Sequence, residues 1–392
     1  QKHISPGVLQ RPAEATIIMR ILIIEPYDTG SHGVWMRGYR TFSQHEVHLL
    51  TLEGQFWQWR LVGGAVALAE QYLTLDFTPD LIVASDMLDL GKFLALTRPV
   101  TSQIPIALYF HENQLTYPTG PRQKRHHHYA YINYASALVA DAVYFNSAFH
   151  RDSFFNALPR LLKHFPDYNS LHTIPQIKER SDVLPVGLDL ERYDPYRPKS
   201  ETPRDPDQPP LVLWNHRWEF DKNPEPFFKA LARLAAEDVP FRVALVGENQ
   251  RQEPTEFEAA RDLLGDRVAQ YGYLDSFADY ARLLWDSDII ASSAKHDFFG
   301  ISVVEAIYCG CWPVLPWRLN YPDLIPASQH ENTLYRADSG LYFRLRERLL
   351  NPTPAPPELR EFVRQFDWRQ LAPRYDAAFE AVASGRAITP DS

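Results

Sequence analysis

Leu211-Val212-Leu213-Trp214-Asn215-His216-Arg217 carries the reading on which the fold turns. Pro209-Pro210 precede an unbroken apolar run, and polar residues follow it. A short apolar run between such breakers reads as a strand buried on both faces, the kind a parallel sheet requires. Comparable runs return at 243–246, 268–271, 289–291 and 313–315, with helical patterns between them. Toward the N-terminus the same alternation occurs at 21–24, 47–51, 81–84, 106–109 and 142–145. This alternation predicts an α/β protein with two doubly wound, Rossmann-like domains facing an interdomain cleft.

The expected boundaries follow from the breakers. Residues 1–18 lack a clear period and read as a tail or remnant, residues 19–185 as the first domain, the proline-rich 186–210 as a semi-rigid linker, and 211–366 as the second domain. Residues 367–392 hold a helical segment that could continue the second domain or cross back to pack on the first, a choice its periodicity leaves open, and a frayed tail. With 392 residues, 45% hydrophobic and 13% aromatic, the chain can bury two cores. It has no apolar run of roughly eighteen residues, and its N-terminal stretch lacks the order of a secretory signal. The expectation is a soluble, cytoplasmic protein with no membrane partner. Cys309 and Cys311, separated by one glycine, read as small core residues in a reducing compartment. A net charge of −9 argues against a chain covered in nucleic-acid-binding surface and leaves room for a local basic patch.

Ligands bind beyond the carboxyl ends of parallel strands, and the loops there carry chemistry-bearing residues. After the 211–214 run, Arg217 and Lys222 place two fixed cations five residues apart. A sugar nucleotide leaves as a diphosphate, and such a pair would stabilise the charge that develops on it in the transition state. Further on, His296-Asp297-Phe298-Phe299-Gly300-Ile301 opens a helix that bears Glu305, eight residues after Asp297. Gly300 lets the backbone approach a ligand, so amides around Phe298, Phe299, Gly300 and Ile301 can receive phosphate or sugar oxygens. Asp297 and Glu305 would then grip the hydroxyls of a sugar and a ribose.

In the first domain, Glu25-Pro26-Tyr27-Asp28-Thr29-Gly30-Ser31-His32-Gly33 follows the first strand without a G-x-G-x-x-G pattern. Tyr109-Phe110-His111-Glu112-Asn113-Gln114-Leu115 follows the fourth strand, where His111 could hydrogen-bond a sugar hydroxyl. The run His126-His127-His128 has no carboxylate or cysteine partner at ligand spacing, so no metal is expected.

Asp297 and Glu305, followed by Cys309-Gly310-Cys311-Trp312-Pro313-Val314, resemble the Glu-x7-Glu motif of the retaining glycosyltransferases often called family 4. Asp297 stands in place of the first Glu and is shorter by one methylene. The resemblance implies the GT-B architecture, a nucleotide-sugar donor, no metal or other cofactor, and catalytic roles for Arg217, Lys222, His111, Asp297 and Glu305. It also implies donor contacts from Gly30 and Ser31, and from Gly247, Glu248, Tyr273 and Leu274, where this family holds the base. A more specific set comprises Ile23-Ile24-Glu25, Gly30-Ser31-His32, Phe56-Trp57-Gln58-Trp59-Arg60, the His111–Leu115 segment, Val139-Ala140-Asp141, Phe145-Asn146-Ser147 and His296-Asp297-Phe298-Phe299-Gly300. Together these resemble the tRNA-queuosine α-mannosyltransferases. What that implies is transfer of mannose from GDP-mannose to the cyclopentenediol of queuosine in the anticodon loop of an aspartate tRNA, with retained anomeric configuration.

An RNA acceptor has marks of its own in the residues. Arg122, Lys124 and Arg125 form a basic run after the His111 loop, and Trp57, Trp59 and Arg60 offer stacking faces and a cation. His32, Glu112, Asn113 and Gln114 complete the expected acceptor side. Two other readings stay open: a GT-B retaining transferase using another nucleotide sugar with a lipid, glycan or small-molecule acceptor, and a tRNA-binding protein without turnover.

Overall fold

The computed structural model describes residues 18–120, 126–198, 208–248 and 255–386. Arg122, Lys124 and Arg125, most of the N-terminal tail, the most proline-rich part of the linker and the last six residues lie outside the described residues.

The described residues form two six-stranded sheets, each wholly parallel. The first contains β1 (Arg20–Asp28), β2 (Glu46–Glu53), β3 (Leu81–Ser85), β4 (Ile106–Phe110), β5 (Ala142–Phe145) and β6 (Ser181–Val183), in the order β2-β1-β3-β4-β5-β6. The second contains β7 (Leu211–Asn215), β8 (Arg242–Val246), β9 (Val268–Tyr271), β10 (Ile289–Ala291), β11 (Trp312–Pro316) and β12 (Leu334–Tyr335), in the order β12-β11-β10-β7-β8-β9. Each of the ten strands expected from the apolar runs is present. The two that were not expected, β6 and β12, sit at sheet edges and hold three and two residues. An edge strand of that length leaves no apolar run to read.

Strand order reverses at β1 and again at β7, so neighbouring loops diverge there and open a crevice at the carboxyl edge of each sheet. The loops after β1 and β3 face one crevice; those after β7 and β10 face the other.

The joint between the domains is packed rather than loose. Val186, Leu188, Leu190 and Tyr193 are buried and belong to an apolar core that includes residues of both domains. Leu188 pairs in parallel with Asp367: the Leu188 amide donates to Phe366 O at 2.8 Å, and the Trp368 amide donates to Leu188 O at 2.8 Å. The expected linker therefore begins with a bonded crossing of two chain segments. The 3-10 turn Leu190–Tyr196 follows, and the buried side chains of Val186, Leu188, Leu190 and Tyr193 tie this part of the chain down.

From that crossing the helix Trp368–Ala383 returns to the first domain. Asp376 accepts from the Tyr39 hydroxyl at 2.7 Å, the Ser43 hydroxyl at 2.6 Å and the Gln44 amide at 3.0 Å. Tyr375 Oη accepts from the Trp35 indole at 3.0 Å. Trp368 is fully buried against Gly38 and Gly187, where an added Cβ would stand 2.0 Å and 2.3 Å from its ring atoms. Neither position has room for a side chain. Gly187→Ala should therefore displace the indole and lower stability by about 1–3 kcal/mol, read as a lower denaturant midpoint. An unchanged midpoint would show that Trp368 does not hold the joint.

Candidate active site

On the first domain's side of the cleft, the end of β1 aims Glu25 inward. Its carboxylate is fully buried, accepts from the Tyr27 amide at 2.8 Å and pairs with His32 Nδ1 at 2.9 Å. Burial alone would lower the His32 pKa, but the charge and hydrogen bond of Glu25, aided by Asp86 and Glu112, lift it to about 9. His32 is thus an imidazolium at neutral pH. His111, at the end of β4, lies against it with ring centroids 4.2 Å apart and packs edge-on to Trp35. Burial and then the neighbouring His32 and His150 hold the His111 pKa well below the usual histidine range, so His111 is neutral. Its backbone amide donates to Asp86 Oδ1 at 2.7 Å.

Glu25, His32 and His111 bring three ligand-type atoms within 4.8 Å of one another. Of these, His32 Nδ1 and Glu25 Oε2 are hydrogen-bonded to each other at 2.9 Å.

On the second domain's side, the segment after β7 carries Arg217 and Lys222. Lys222 is buried and donates to His296 O at 2.8 Å, with Asp221 Oδ2 at 3.3 Å. Arg217 is more open, with Glu219 at 3.5 Å. Lys222, His216 and His296 surround Asp297, and together they outweigh the upward push of burial and hold its pKa below the usual carboxylate value. Tyr321 donates to Asp297 Oδ2 at 3.2 Å. Glu305 lies in the helix Ile301–Tyr308, accepts from Tyr280 at 2.7 Å, and Tyr280 in turn accepts from Asn215 at 2.7 Å. Burial raises the Glu305 pKa against the pull of the Tyr280 and Tyr193 hydroxyls. Gly300 caps that helix at φ +104°, and Asn320 holds Phe299 O at 2.9 Å. The first-turn amides, which an α-helix leaves without internal partners, are thereby held at the β10 end of the cleft.

Gly247 meets a stricter demand. Its φ is +150°, and a Cβ there would lie 1.8 Å from His216 O, so the β8 loop packs directly on the β7 loop, where the Trp218 amide donates to Glu248 O at 3.1 Å. Tyr273 is exposed beyond β9, and Leu274 packs partly into the core.

Contacts across the cleft join the two walls. Arg217 donates to the Tyr117 hydroxyl at 3.3 Å, and Tyr117 packs edge-on to His296 at 4.8 Å. Ser147 donates to Phe298 O at 2.6 Å, and His150 stacks on the Phe298 ring at 3.9 Å. The structure thus gathers His111, Arg217, Lys222, Asp297 and Glu305 around one cleft, and Gly30 and Ser31 are exposed at the start of the helix Gly30–Phe42.

Some acceptor-side expectations meet a different geometry. Asn113 is buried, and its carboxamide oxygen holds the Leu115 and Thr116 amides at 3.0 Å and 2.9 Å. That residue shapes the loop, because its side chain points inward. His32 is likewise sealed in its pair with Glu25, so any effect on an acceptor passes through charge. Gln114 donates to Glu112 at 2.9 Å, and Arg60 donates to Glu53 O at 2.9 Å. Trp59 is 63% exposed, whereas Trp57 is half-buried with Tyr129 at 5.4 Å.

Asp86, His150, Tyr280 and Tyr321 are not singled out by the sequence, and Tyr117 and Ser147 stand there only as members of longer segments. Of these four, Asp86 alone leaves a signal, as a carboxylate one residue beyond the Ser85 that follows the apolar 81–84 run. The folded His32 pKa of about 9 lies above its ordinary 6.5. The stability supplied by the Glu25–His32 pair is therefore fully present below about pH 6.5 and lost as pH rises through about 9. The gap in thermal midpoint between wild type and Glu25→Gln should narrow over that interval, and a gap independent of pH would show that the pair is not charged.

Comparison with known proteins agrees with this geometry. A family model described as tRNA-queuosine alpha-mannosyltransferase N-terminal matches residues 20–188, and one described as Glycosyl transferases group 1 matches residues 197–327. The tRNA-queuosine alpha-mannosyltransferase of Drosophila melanogaster is 33% identical over 368 residues, spanning 91% of this chain and 95% of that one. A GDP-mannose-dependent alpha-(1-6)-phosphatidylinositol dimannoside mannosyltransferase of Mycobacterium tuberculosis is 26% identical over 160 residues, 40% of this chain and 38% of its own. Among solved structures, a sucrose-phosphate synthase from Thermosynechococcus elongatus superposes with a TM-score of 0.70 at 16% identity, covering 94% of this chain and 100% of that one, which shows the shared GT-B fold. With one residue in three shared along nearly the full length of the Drosophila protein, this chain belongs to the tRNA-queuosine alpha-mannosyltransferase family of GT-B glycosyltransferases.

Proposed function

We propose that the protein transfers mannose, with retained anomeric configuration, from GDP-mannose to the cyclopentenediol of queuosine in the anticodon loop of an aspartate tRNA. The observation that carries this reading is the facing of two unlike walls across one cleft: Arg217 and Lys222 beyond β7, and His111 with its carboxylate neighbours beyond β4. The names of the Drosophila and Mycobacterium relatives support mannosyl transfer, and the latter supports a GDP-linked donor. The cytoplasm suits a tRNA acceptor and the two free, buried cysteines.

In the proposed mechanism the acceptor hydroxyl attacks the anomeric carbon from the face that the diphosphate leaves. The bond from that carbon to the phosphate oxygen breaks, the new glycosidic bond forms, and a leaving phosphate oxygen takes the hydroxyl proton. No protein nucleophile enters this route. Arg217 and Lys222 stabilise the departing diphosphate, in a cleft where low dielectric strengthens each contact. Glu305, poised by Tyr280, holds the ribose hydroxyls. His111, kept neutral by burial, hydrogen-bonds the mannose, and Asp297 with the Phe299-Gly300 backbone positions it.

Radiolabelled mannose offered as GDP-mannose should label tRNA that contains queuosine and leave unlabelled the same tRNA from cells unable to make queuosine. Labelling of neither preparation, with donor hydrolysis still measurable, would overturn the acceptor assignment. Arg217→Ala should lower kcat on the order of 10²–10³-fold, the usual cost of removing a preorganised donor to developing charge. Unchanged kcat would remove Arg217 from the diphosphate site.

A further inference from the structure

We propose that Glu112, backed by Glu25 and Asp86, receives the protonated secondary amine through which queuosine carries its cyclopentenediol, and thereby sets the preference for a queuosine-bearing tRNA. This rests on the acceptor reading above and identifies the groups that read the acceptor's charge.

The acceptor-side wall holds three carboxylates within electrostatic range of one imidazolium. Glu25 already occupies His32 Nδ1 at 2.9 Å. Asp86 is 0% exposed; its Oδ1 takes the His111 amide at 2.7 Å, and its Oδ2 has no hydrogen-bond partner among the described residues. His111 Nε2 is likewise buried without a partner there. Asp86 and Glu25 are sealed, and Glu112 is the half-buried member of the three. Its Oε1 accepts from Gln114 at 2.9 Å, which orients the carboxylate.

Among the described residues, His32, Arg217, Glu219 and Asp86 act electrostatically on Glu112. Arg217 belongs to the diphosphate in the proposed mechanism, so once a donor is bound, His32 is the cation that, among the described residues, faces the three carboxylates. Burial raises the Glu112 and Asp86 pKa values, and the coupling of Asp86 to Glu112 and Glu25 adds to the effect. A cation arriving beside Glu112 would relieve that repulsion.

Queuosine supplies such a cation next to the hydroxyls that take the sugar. The secondary amine joining its cyclopentenediol to the base carries a proton at neutral pH. Guanosine at the same position lacks both amine and diol, and would leave the partly desolvated carboxylate unpaired. A site built around a polar group discriminates strongly against an analogue that lacks it.

The test measures binding of the whole protein to one tRNA prepared with queuosine or with guanosine at the modified position, alongside mannose transfer. Wild type should bind the queuosine form more tightly. Glu112→Gln, which keeps the side-chain size, should shrink that ratio by roughly tenfold or more and raise KM for tRNA, with KM for GDP-mannose unchanged. Glu112→Asp should recover part of the ratio. A Glu112→Gln protein with the wild-type ratio overturns the inference while the proposed function stands. Wild type that transfers no mannose to the queuosine form overturns the proposed function, and the inference with it.

Discussion

The crossing of Leu188 and Asp367, locked by Trp368 over Gly38 and Gly187, is the constraint on which the rest of the structure depends. Two parallel sheets can share a site only if their carboxyl edges face each other. A covalent linker alone would leave that orientation free. Here the chain crosses between domains twice, the crossings bond to each other, and the helix Trp368–Ala383 is held to the first domain by the three hydrogen bonds that Asp376 accepts. The apolar core therefore runs from one domain through the joint into the other. Contacts such as Ser147 with Phe298 and Tyr117 with Arg217 can then close a cleft whose walls are already aligned.

Within that frame the two walls carry opposite electrostatic duties. The second domain gathers Arg217 and Lys222 beyond β7, and there Lys222, with His216 and His296, holds the Asp297 pKa below the usual carboxylate value despite its burial. The first domain gathers Glu25, Asp86 and Glu112 around His32. Burial makes each set costly unless its partner is present, and this makes a cleft of this kind selective. His111 lies at the end of β4 as a neutral group, because burial penalises its charged form and an imidazolium already stands beside it, with ring centroids 4.2 Å apart. A second proton on that ring would place two like charges in contact.

Much of this was legible along the chain, for identifiable reasons. Strands buried on both faces must be apolar along their length, so the runs at 211–214 and nine other places stood out. Arg217, Lys222, His111 and Asp297 stood out as candidates because each follows such a run, where ligands bind in open sheets, and Glu305 because it lies eight residues after Asp297 on the helix that opens there. Asn113 misled for the same reason: polarity in a loop marks it as interesting, and only the fold shows that its oxygen is spent on the Leu115 and Thr116 amides. Tyr280, Tyr321 and His150 lie within helical or irregular segments, and their links to Glu305, Asp297 and Phe298 cross 25, 24 and about 150 positions of sequence.

By itself the sequence determined the two sheets, their switch points' chemistry and a family resemblance carried by contiguous motifs, because each depends on neighbours along the chain. Only the tertiary structure decided that the linker begins as a packed crossing, that His32 and His111 are pushed to opposite sides of the usual histidine pKa, and that Asp86 comes within reach of Glu112 and Glu25. Charge state and packing depend on distance and burial. Those are set by residues far apart in sequence that folding brings within a few ångströms of one another.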